Sequence, residues 1–303
     1  MIEIQRILCP IDFSDCSRRA LDHAIAIARW YKSAVTVLHV FPTAEAAPVG
    51  LRPVVFEPIL LSPAERDKLL ADTKAFAAAE SAPGISIQAA VREGHVAAEI
   101  LEQVETTKTD LIVVGTHGRS GFQRLLLGSV AERILREARC PVMTVPRRLD
   151  AVPAGPVLYQ RVLCPIDFSA ASLDALKYAT SLAHEAHGDL TILHVVAHEL
   201  EYSGDIEYAT GMTVGDFLKE REETIRKRLR DEVASASEFC KVDSSMTRGK
   251  PWREVLRIAA ERHSDLIVMG VQGRGAADLL LFGSTTQHVV REASCPVLTL
   301  RHV

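Results

Sequence analysis

The chain has few aromatic residues and no long apolar run. Of its 303 residues only 5% are aromatic, and no apolar stretch approaches the roughly 20 residues that a membrane-spanning helix needs. The net charge of −4 gives no overall attraction to nucleic acid or to an anionic membrane. The first residues, MIEIQRILCP, lack the segments of a signal peptide. We therefore expect a cytoplasmic protein with neither nucleic acid nor a membrane as its partner.

Motifs of several enzyme and metal-binding classes are also missing. The six cysteines form no CxxC pair, so we expect no zinc site. No Gly-Lys-[Ser/Thr] is present, which excludes a P-loop NTPase, and the first apolar run does not lead into G-x-G-x-x-G, which disfavours an NAD-dependent dehydrogenase. There is no G-x-S-x-G nucleophile elbow either. The 48% of apolar and 24% of charged residues instead indicate a compact globular chain.

The sequence is a tandem duplication. Three blocks recur with one constant offset of 155 residues, which excludes a short-period solenoid. The pairs are RILCPIDFS at 6–14 and RVLCPIDFS at 161–169, DLIVVGTHGR at 110–119 and DLIVMGVQGR at 265–274, and REARCPVMTV at 136–145 and REASCPVLTL at 291–300. We predict a first domain of residues 1–146, a proline-rich linker of residues 147–158 and a second domain of residues 159–303.

Apolar runs alternate with helical periodicity in each copy. In the first copy, we predict strands at 2–10, 35–40, 85–91, 111–114 and 142–145 and helices starting near 14, 62, 96 and 128. The alternation requires a parallel sheet with right-handed crossovers and helices on both faces. The predicted fold class is therefore α/β.

A duplicated glycine pattern follows the fourth predicted strand. Glycine permits close backbone approach, so a G-x-x-G turn can aim N–H groups at an anion, and a Gly-Ser at the start of the next helix adds further donors. The residues are Gly115, Gly118, Gly128 and Ser129 in the first copy and Gly270, Gly273, Gly283 and Ser284 in the second. At the carboxyl edge of a parallel sheet this pattern predicts a phosphate site. The alternative is that the glycines only terminate strands.

This G-x2-G-x9-G-[S/T] pattern resembles that of the nucleotide-binding universal stress proteins, and the resemblance covers both halves. It implies two tandem Rossmann-like domains, each with a five-stranded sheet, that bind an adenine nucleotide (ATP, ADP or AMP) and act in the stress response. Further binding residues implied by position are Pro10, Asp12, Val40, Arg119 and Val130, and in the second copy Pro165, Asp167, Val195, Arg274 and Thr285.

The resemblance assigns roles to the residues at the strand ends. Asp12 and Asp167 would approach the adenine or ribose, and Val40 and Val195 would offer backbone groups to the base. For the two aspartates the alternative is a carboxylate that only satisfies donors at a helix start. Mg²⁺ could bridge the phosphates through Ser129 or Ser284, but no separate metal site is expected.

The two copies differ within the glycine pattern. His117 and Arg124 of the first copy are replaced by Gln272 and Leu279, and the second copy gains Asp278. A cation near a polyphosphate favours binding, so we expect unequal sites with the first tighter for ATP. His117 is a candidate acid or base without a counterpart, and we assign no catalytic residue.

The sequence favours a nucleotide-dependent sensor or regulator that acts on an unidentified protein partner. Two alternatives remain open: a slow ATPase that uses the same pocket, and a nucleotide-free scaffold or chaperone-like interaction protein. The resemblance also implies that the final strands, 142–145 and 297–300, pair the two domains, and that whole chains form a homodimer.

Overall fold

The chain folds into two compact units. The computed structural model describes residues 1–43, 48–49, 52–53, 60–78, 84–117, 127–147, 157, 159–197, 214–271 and 283–301. Contacts assign residues 3–157 to an N-terminal unit and residues 158–302, together with 1–2, to a C-terminal unit. Most of the predicted linker lies outside the described residues.

The N-terminal unit is a five-stranded parallel sheet flanked by helices. Its strands are β1 (Arg6–Ile11), β2 (Ala34–Pro42), β5 (Ile87–Gly94), β6 (Leu111–Gly115) and β7 (Val142–Val145), and β3 (Pro48–Val49) pairs antiparallel with β4 (Arg52–Pro53) as a separate ribbon. The helices are α1 (Asp15–Tyr31), α2 (Pro63–Ala78), α3 (Val96–Thr107) and α4 (Ser129–Glu137). The strand order is β7-β6-β1-β2-β5, and every pairing is parallel.

The C-terminal unit repeats this arrangement. Its strands are β8 (Arg161–Pro165), β9 (Asp189–Val196), β10 (Lys241–Arg248), β11 (Leu266–Gly270) and β12 (Val297–Leu300), and its helices are α5 (Ala170–Glu185), α6 (Val214–Ala236), α7 (Pro251–Glu261) and α8 (Ser284–Glu292). The sheet order is β12-β11-β8-β9-β10, again all parallel. The predicted α/β class with five parallel strands per domain is confirmed.

The order of the strands places a crevice at one edge of the sheet. From β1 the chain moves outward through β2 to β5 and then crosses back to β6 on the other side of β1. Right-handed crossovers therefore place α1 and α2 on one face and α3 and α4 on the other, where α3 and α4 pack together. The carboxyl ends of β1 and β6 flank the point where the direction reverses, which is the usual ligand site of open α/β sheets.

Local signals in the sequence explain several element boundaries. Ser14 caps α1 by accepting a hydrogen bond from the N–H of Ser17, as predicted. Ser62 and Glu65 form a reciprocal capping box at the start of α2. No helix within the described residues combines the length and hydropathy needed to cross a membrane.

Two strands differ from the prediction by three or more residues at one end. The first begins at Arg6 rather than at residue 2, because the carbonyls of Ile4 and Gln5 bond to Ser33 and Ala34 before regular pairing starts. The edge strand β5 runs to Gly94, because its pairing with β2 continues to the end of that longer strand.

Candidate functional site

The carboxylate of Asp12 organises the turn between β1 and α1. Its Oδ1 accepts hydrogen bonds from the Ser14 N–H at 3.1 Å and from the hydroxyls of Ser14 and Ser17, both at 2.6 Å. The alternative role for Asp12, satisfying donors at a helix start, therefore describes its Oδ1. Asp167 repeats the bonds to the N–H and hydroxyl of Ser169, at 3.0 and 2.5 Å.

The residue after each aspartate adopts a left-handed backbone conformation. Phe13 has a φ of 63° and Phe168 a φ of 62°, values that are uncommon for a bulky residue and often mark functional turns. The Phe13 ring packs on His39, with the ring centroids 4.6 Å apart, and Phe168 packs on His194 at 5.0 Å. Sequence reasoning did not assign these phenylalanines a role, although the repeated PIDFS block contained the signal.

The two histidines beside these rings have a structural role. Nδ1 of His39 lies 2.9 Å from the Ile11 carbonyl, and Nδ1 of His194 lies 2.8 Å from the Ile166 carbonyl. A carbonyl oxygen only accepts, so Nδ1 carries the proton in both rings. Each bond ties the second strand to the end of the first, immediately before Val40 and Val195.

The glycines that end β6 and β11 allow a close approach of the first helix of each unit. A Cβ on Gly115 would lie 2.8 Å from Sγ of Cys16 and 3.2 Å from its backbone carbonyl, and one on Gly270 would lie 2.9 Å from the backbone of Ala171. Neither contact is sterically acceptable. Glycine is therefore required here by packing. This is what the alternative interpretation, in which the glycines only terminate strands, expects.

Gly128 and Gly283 bring the following helix back to the strand end. The N–H of Gly128 donates to the Thr116 carbonyl at 2.7 Å, and that of Gly283 donates to the Val271 carbonyl at 3.1 Å. A Cβ on either glycine would come within 3.1 Å of the same oxygen. These glycines are the N-caps of α4 and α8, and no described side chain caps either helix.

The first turns of α4 and α8 thus present N–H groups that described side chains leave uncapped. In contrast to α1, which Ser14 caps, α4 begins with the exposed Ser129 and then Val130. Unsatisfied donors and the positive end of the helix dipole favour an anion here. In the second unit Ser284 and Thr285 occupy these positions, and the Thr286 hydroxyl donates to the Gly270 carbonyl at 3.0 Å.

The remaining predicted site residues fall into two groups. Pro10 and Pro165 lie on β1 and β8, where they pair with Leu38 and Leu193. Four others lie outside the described residues: Gly118, Arg119, Gly273 and Arg274. The sequence differences at 124, 272, 278 and 279 also lie there.

A cavity of about 360 Å³ opens beside the start of α4. We name it the α3–α4 crevice. It is lined by Pro42 and Thr43 at the end of β2, by Gly94, His95, Val96 and Ala97 from the end of β5 into the first turn of α3, and by Ser129, Val130 and Arg133 on α4. Its lining therefore includes two of the predicted site residues, Ser129 and Val130.

His95, the N-cap of α3, makes no side-chain capping bond within the described residues. Two uncapped helix starts and one guanidinium thus border the same space.

The described residues of the site do not bring together groups suited to covalent or metal chemistry. Burial raises the pKa of the Cys9 and Cys164 thiols far above their usual range, so both stay protonated. His117 contacts the Thr116 hydroxyl through Nδ1 at 2.9 Å. Across the described ranges, no group of three or more His, Cys, Asp or Glu side chains could hold a metal ion.

The fold and the site define a doubly wound α/β protein with a candidate anion site at the carboxyl edge of each sheet. The sequence pattern of the universal stress protein family matches residues 3–146 and 158–301. The chain therefore belongs to the universal stress protein family, with two tandem copies of its domain.

Individual relatives agree with this assignment. A universal stress protein of Methanocaldococcus jannaschii is 38% identical over 146 residues, which cover 47% of this chain and 82% of the relative. One from Mycolicibacterium smegmatis is 30% identical over 221 residues, covering 72% and 70%. The solved structure of a universal stress protein from Archaeoglobus fulgidus is 23% identical, covers 99% of this chain and 97% of its own, and superposes with a TM-score of 0.67, which shows the shared fold.

Proposed function

We propose that this protein binds an adenine nucleotide, ATP or AMP, at the carboxyl edge of its sheet and acts as a nucleotide-dependent regulator in the stress response. The observation that carries the proposal is the uncapped start of α4, held by Gly128 against the end of β6. The same arrangement recurs at Gly283. A phosphate would accept from the N–H groups of this first turn and from the Ser129 hydroxyl.

The surrounding residues support a nucleotide rather than free phosphate. The Asp12 carboxylate and the backbone of Val40 lie at the ends of adjacent parallel strands, β1 and β2. An acceptor at this edge suits the ribose hydroxyls, and backbone groups suit the base edge. Mg²⁺ bound to the phosphates, a homodimer and a cytoplasmic location fit this role and stay predictions.

Regulation fits the site better than rapid turnover does. Phosphoryl transfer needs a positioned water and a cation that stabilises the transferring charge. The described part of the site offers uncapped N–H groups and His117, which is already in contact with Thr116. Slow hydrolysis remains the alternative, and phosphate release measured on the same samples distinguishes it.

The first test is a charge placed in the first turn of α4. Ser129→Glu should abolish ATP binding, because its carboxylate repels the phosphates, while thermal stability stays equal or rises, because a negative charge suits a helix start. Ser129→Gln is the uncharged control of matched size. Binding is measured by isothermal titration calorimetry and by native mass spectrometry of the purified protein.

Either of two results would contradict the proposal. Unchanged ATP affinity in the Ser129→Glu protein would place any nucleotide elsewhere. A wild-type protein that binds neither ATP nor AMP would favour the scaffold alternative.

A further inference from the structure

The two units differ in the residues that border the α3–α4 crevice. In the N-terminal unit, Ala97 on α3 contributes only a methyl group and Arg133 on α4 contributes a guanidinium. At the offset of 155 residues, the C-terminal unit has Trp252 on α7 and His288 on α8. The pairs of helices that carry these residues pack together in both units.

The corresponding side chains of the C-terminal unit stack on each other. The Trp252 indole stacks on the His288 imidazole, with ring centroids 4.5 Å apart and planes inclined by 15°. The guanidinium of Arg253 lies 5.0 Å from the indole centroid on the same helix. Two stacked rings therefore connect α7 and α8 near their starts, at the positions that Ala97 and Arg133 hold beside the cavity of the N-terminal unit.

The C-terminal unit also carries a positive charge beside the start of α7. Lys250 is the N-cap of α7, where the N-terminal unit has His95 as the N-cap of α3. The described difference between the units therefore lies at these two positions: Ala97 and Arg133 line a cavity in one unit, and Trp252 and His288 stack on each other in the other.

The open crevice attracts an anion from three sides. The first turns of α3 and α4 lack side-chain caps among the described residues, and Arg133 adds a full charge. Nε of Arg133 donates to Glu137 at 3.0 Å, and this pair is about half exposed. A surface pair of this kind is weak, and the guanidinium has further N–H donors for a phosphate.

We propose that the N-terminal unit holds the phosphate tail of the nucleotide in the α3–α4 crevice against Arg133, and that the Trp252–His288 stack keeps the C-terminal unit from binding the same ligand. This inference rests on the proposed function and adds a stoichiometry to it. The full-length chain should bind one ATP, although both halves carry the glycine pattern.

The first test removes the cation. Arg133→Gln should weaken ATP binding about tenfold or more, because a charge-assisted hydrogen bond to phosphate is lost, and should leave adenosine binding unchanged. Arg136→Gln is the matched control, since Arg136 lies on the same helix, is likewise paired with a glutamate four residues away, and does not line the crevice. Equal ATP affinities of the two variants would overturn the role of Arg133.

The second test opens the other crevice. Trp252→Ala combined with His288→Arg recreates the N-terminal pair, and calorimetry with ATP should change from one site per chain to two. If this double variant does not fold, the number of ATP molecules bound by each wild-type chain still tests the inference. Two equivalents of ATP bound by the wild type would overturn this inference alone, whereas no binding of any adenine nucleotide would overturn the proposed function as well.

Discussion

At the residue scale, Asp12 shows how one side chain serves the fold and the candidate site together. Three donors converge on its Oδ1, which holds the turn in which Phe13 takes its left-handed conformation. The same turn brings the carboxyl group to the end of β1, next to the end of β2. Substitutions at Asp12 therefore combine an effect on stability with an effect on binding, and Ser129 and Arg133 are cleaner tests of the ligand.

His23 gives the N-terminal unit a stability that depends on pH. Burial, assisted by the charge of Arg19, lowers the pKa of His23 from 6.5 to about 3. Between these values the unfolded chain binds the proton and the folded chain does not, so stability is lost as the pH falls below 6.5. Relative to His23→Gln, the wild type should lose about 2 kcal/mol of unfolding free energy between pH 7 and pH 5.

Urea unfolding of both proteins at the two pH values measures this difference. Taking the difference between wild type and variant cancels the other titrating groups. If the unfolding free energies of the wild type and the variant changed by the same amount between the two pH values, His23 would not be buried in its neutral state.

At the scale of elements, the starts of α1 and α4 should respond differently to the loss of a hydroxyl. Ser14 accepts from the Ser17 N–H at 3.2 Å, whereas Ser129 is the first residue of a helix whose N-cap is Gly128. Ser14→Ala should cost about 1 kcal/mol of stability, and Ser129→Ala should cost less than about 0.5 kcal/mol. Chemical unfolding without nucleotide measures both changes, and equal losses would contradict the assignment of the two caps.

Elements that depend on neighbouring residues were predictable, and those set by distant contacts were not. The starts of α1 and α2 followed from Ser14, Ser62 and Glu65, which act within four residues. The start of β1 is set by distant partners: besides the bonds of Ser33 and Ala34 to the preceding carbonyls, the Asp110 carboxylate accepts from the N–H groups of Gln5 and Arg6 across more than a hundred residues. A single sequence carries no local signal for such a bond.

The residues of the candidate site also divide into those that the sequence predicted and those that depend on distant contacts. Its glycines and serines were predicted from spacing, because both copies repeat them. Arg133 and the Trp252–His288 stack were not, since the sequence shows that these positions differ between the copies but not that two helices bring them together. An alignment of the two copies at the offset of 155 residues would have shown that Trp252 stands where the first copy has Ala97.

At the scale of the whole molecule, duplication supplies two units with the same candidate edge, and divergence then acts on each edge separately. The first turns of α4 and α8 keep the same uncapped geometry, so the capacity to accept an anion is common to both. The side chains beside them are not, because Trp252 and His288 stack on each other in one unit where the other unit has Ala97 and Arg133. One chain could thus combine a ligand-responsive half with a half that serves another purpose, such as contact with a protein partner.

Hydrogen exchange should reveal this division in the intact chain. A ligand that binds only the folded N-terminal unit stabilises that unit by about 2.7 kcal/mol at a hundredfold excess over its Kd. With saturating ATP, the amides of residues 127–137 should therefore exchange more slowly, whereas residues 283–292 should exchange at unchanged rates. The Ser129→Glu protein is the control that should show no change in either segment. If ATP protected both helices equally, the C-terminal unit would bind nucleotide despite its stacked rings. If ATP protected neither helix in the wild type, a nucleotide would not be the regulatory ligand.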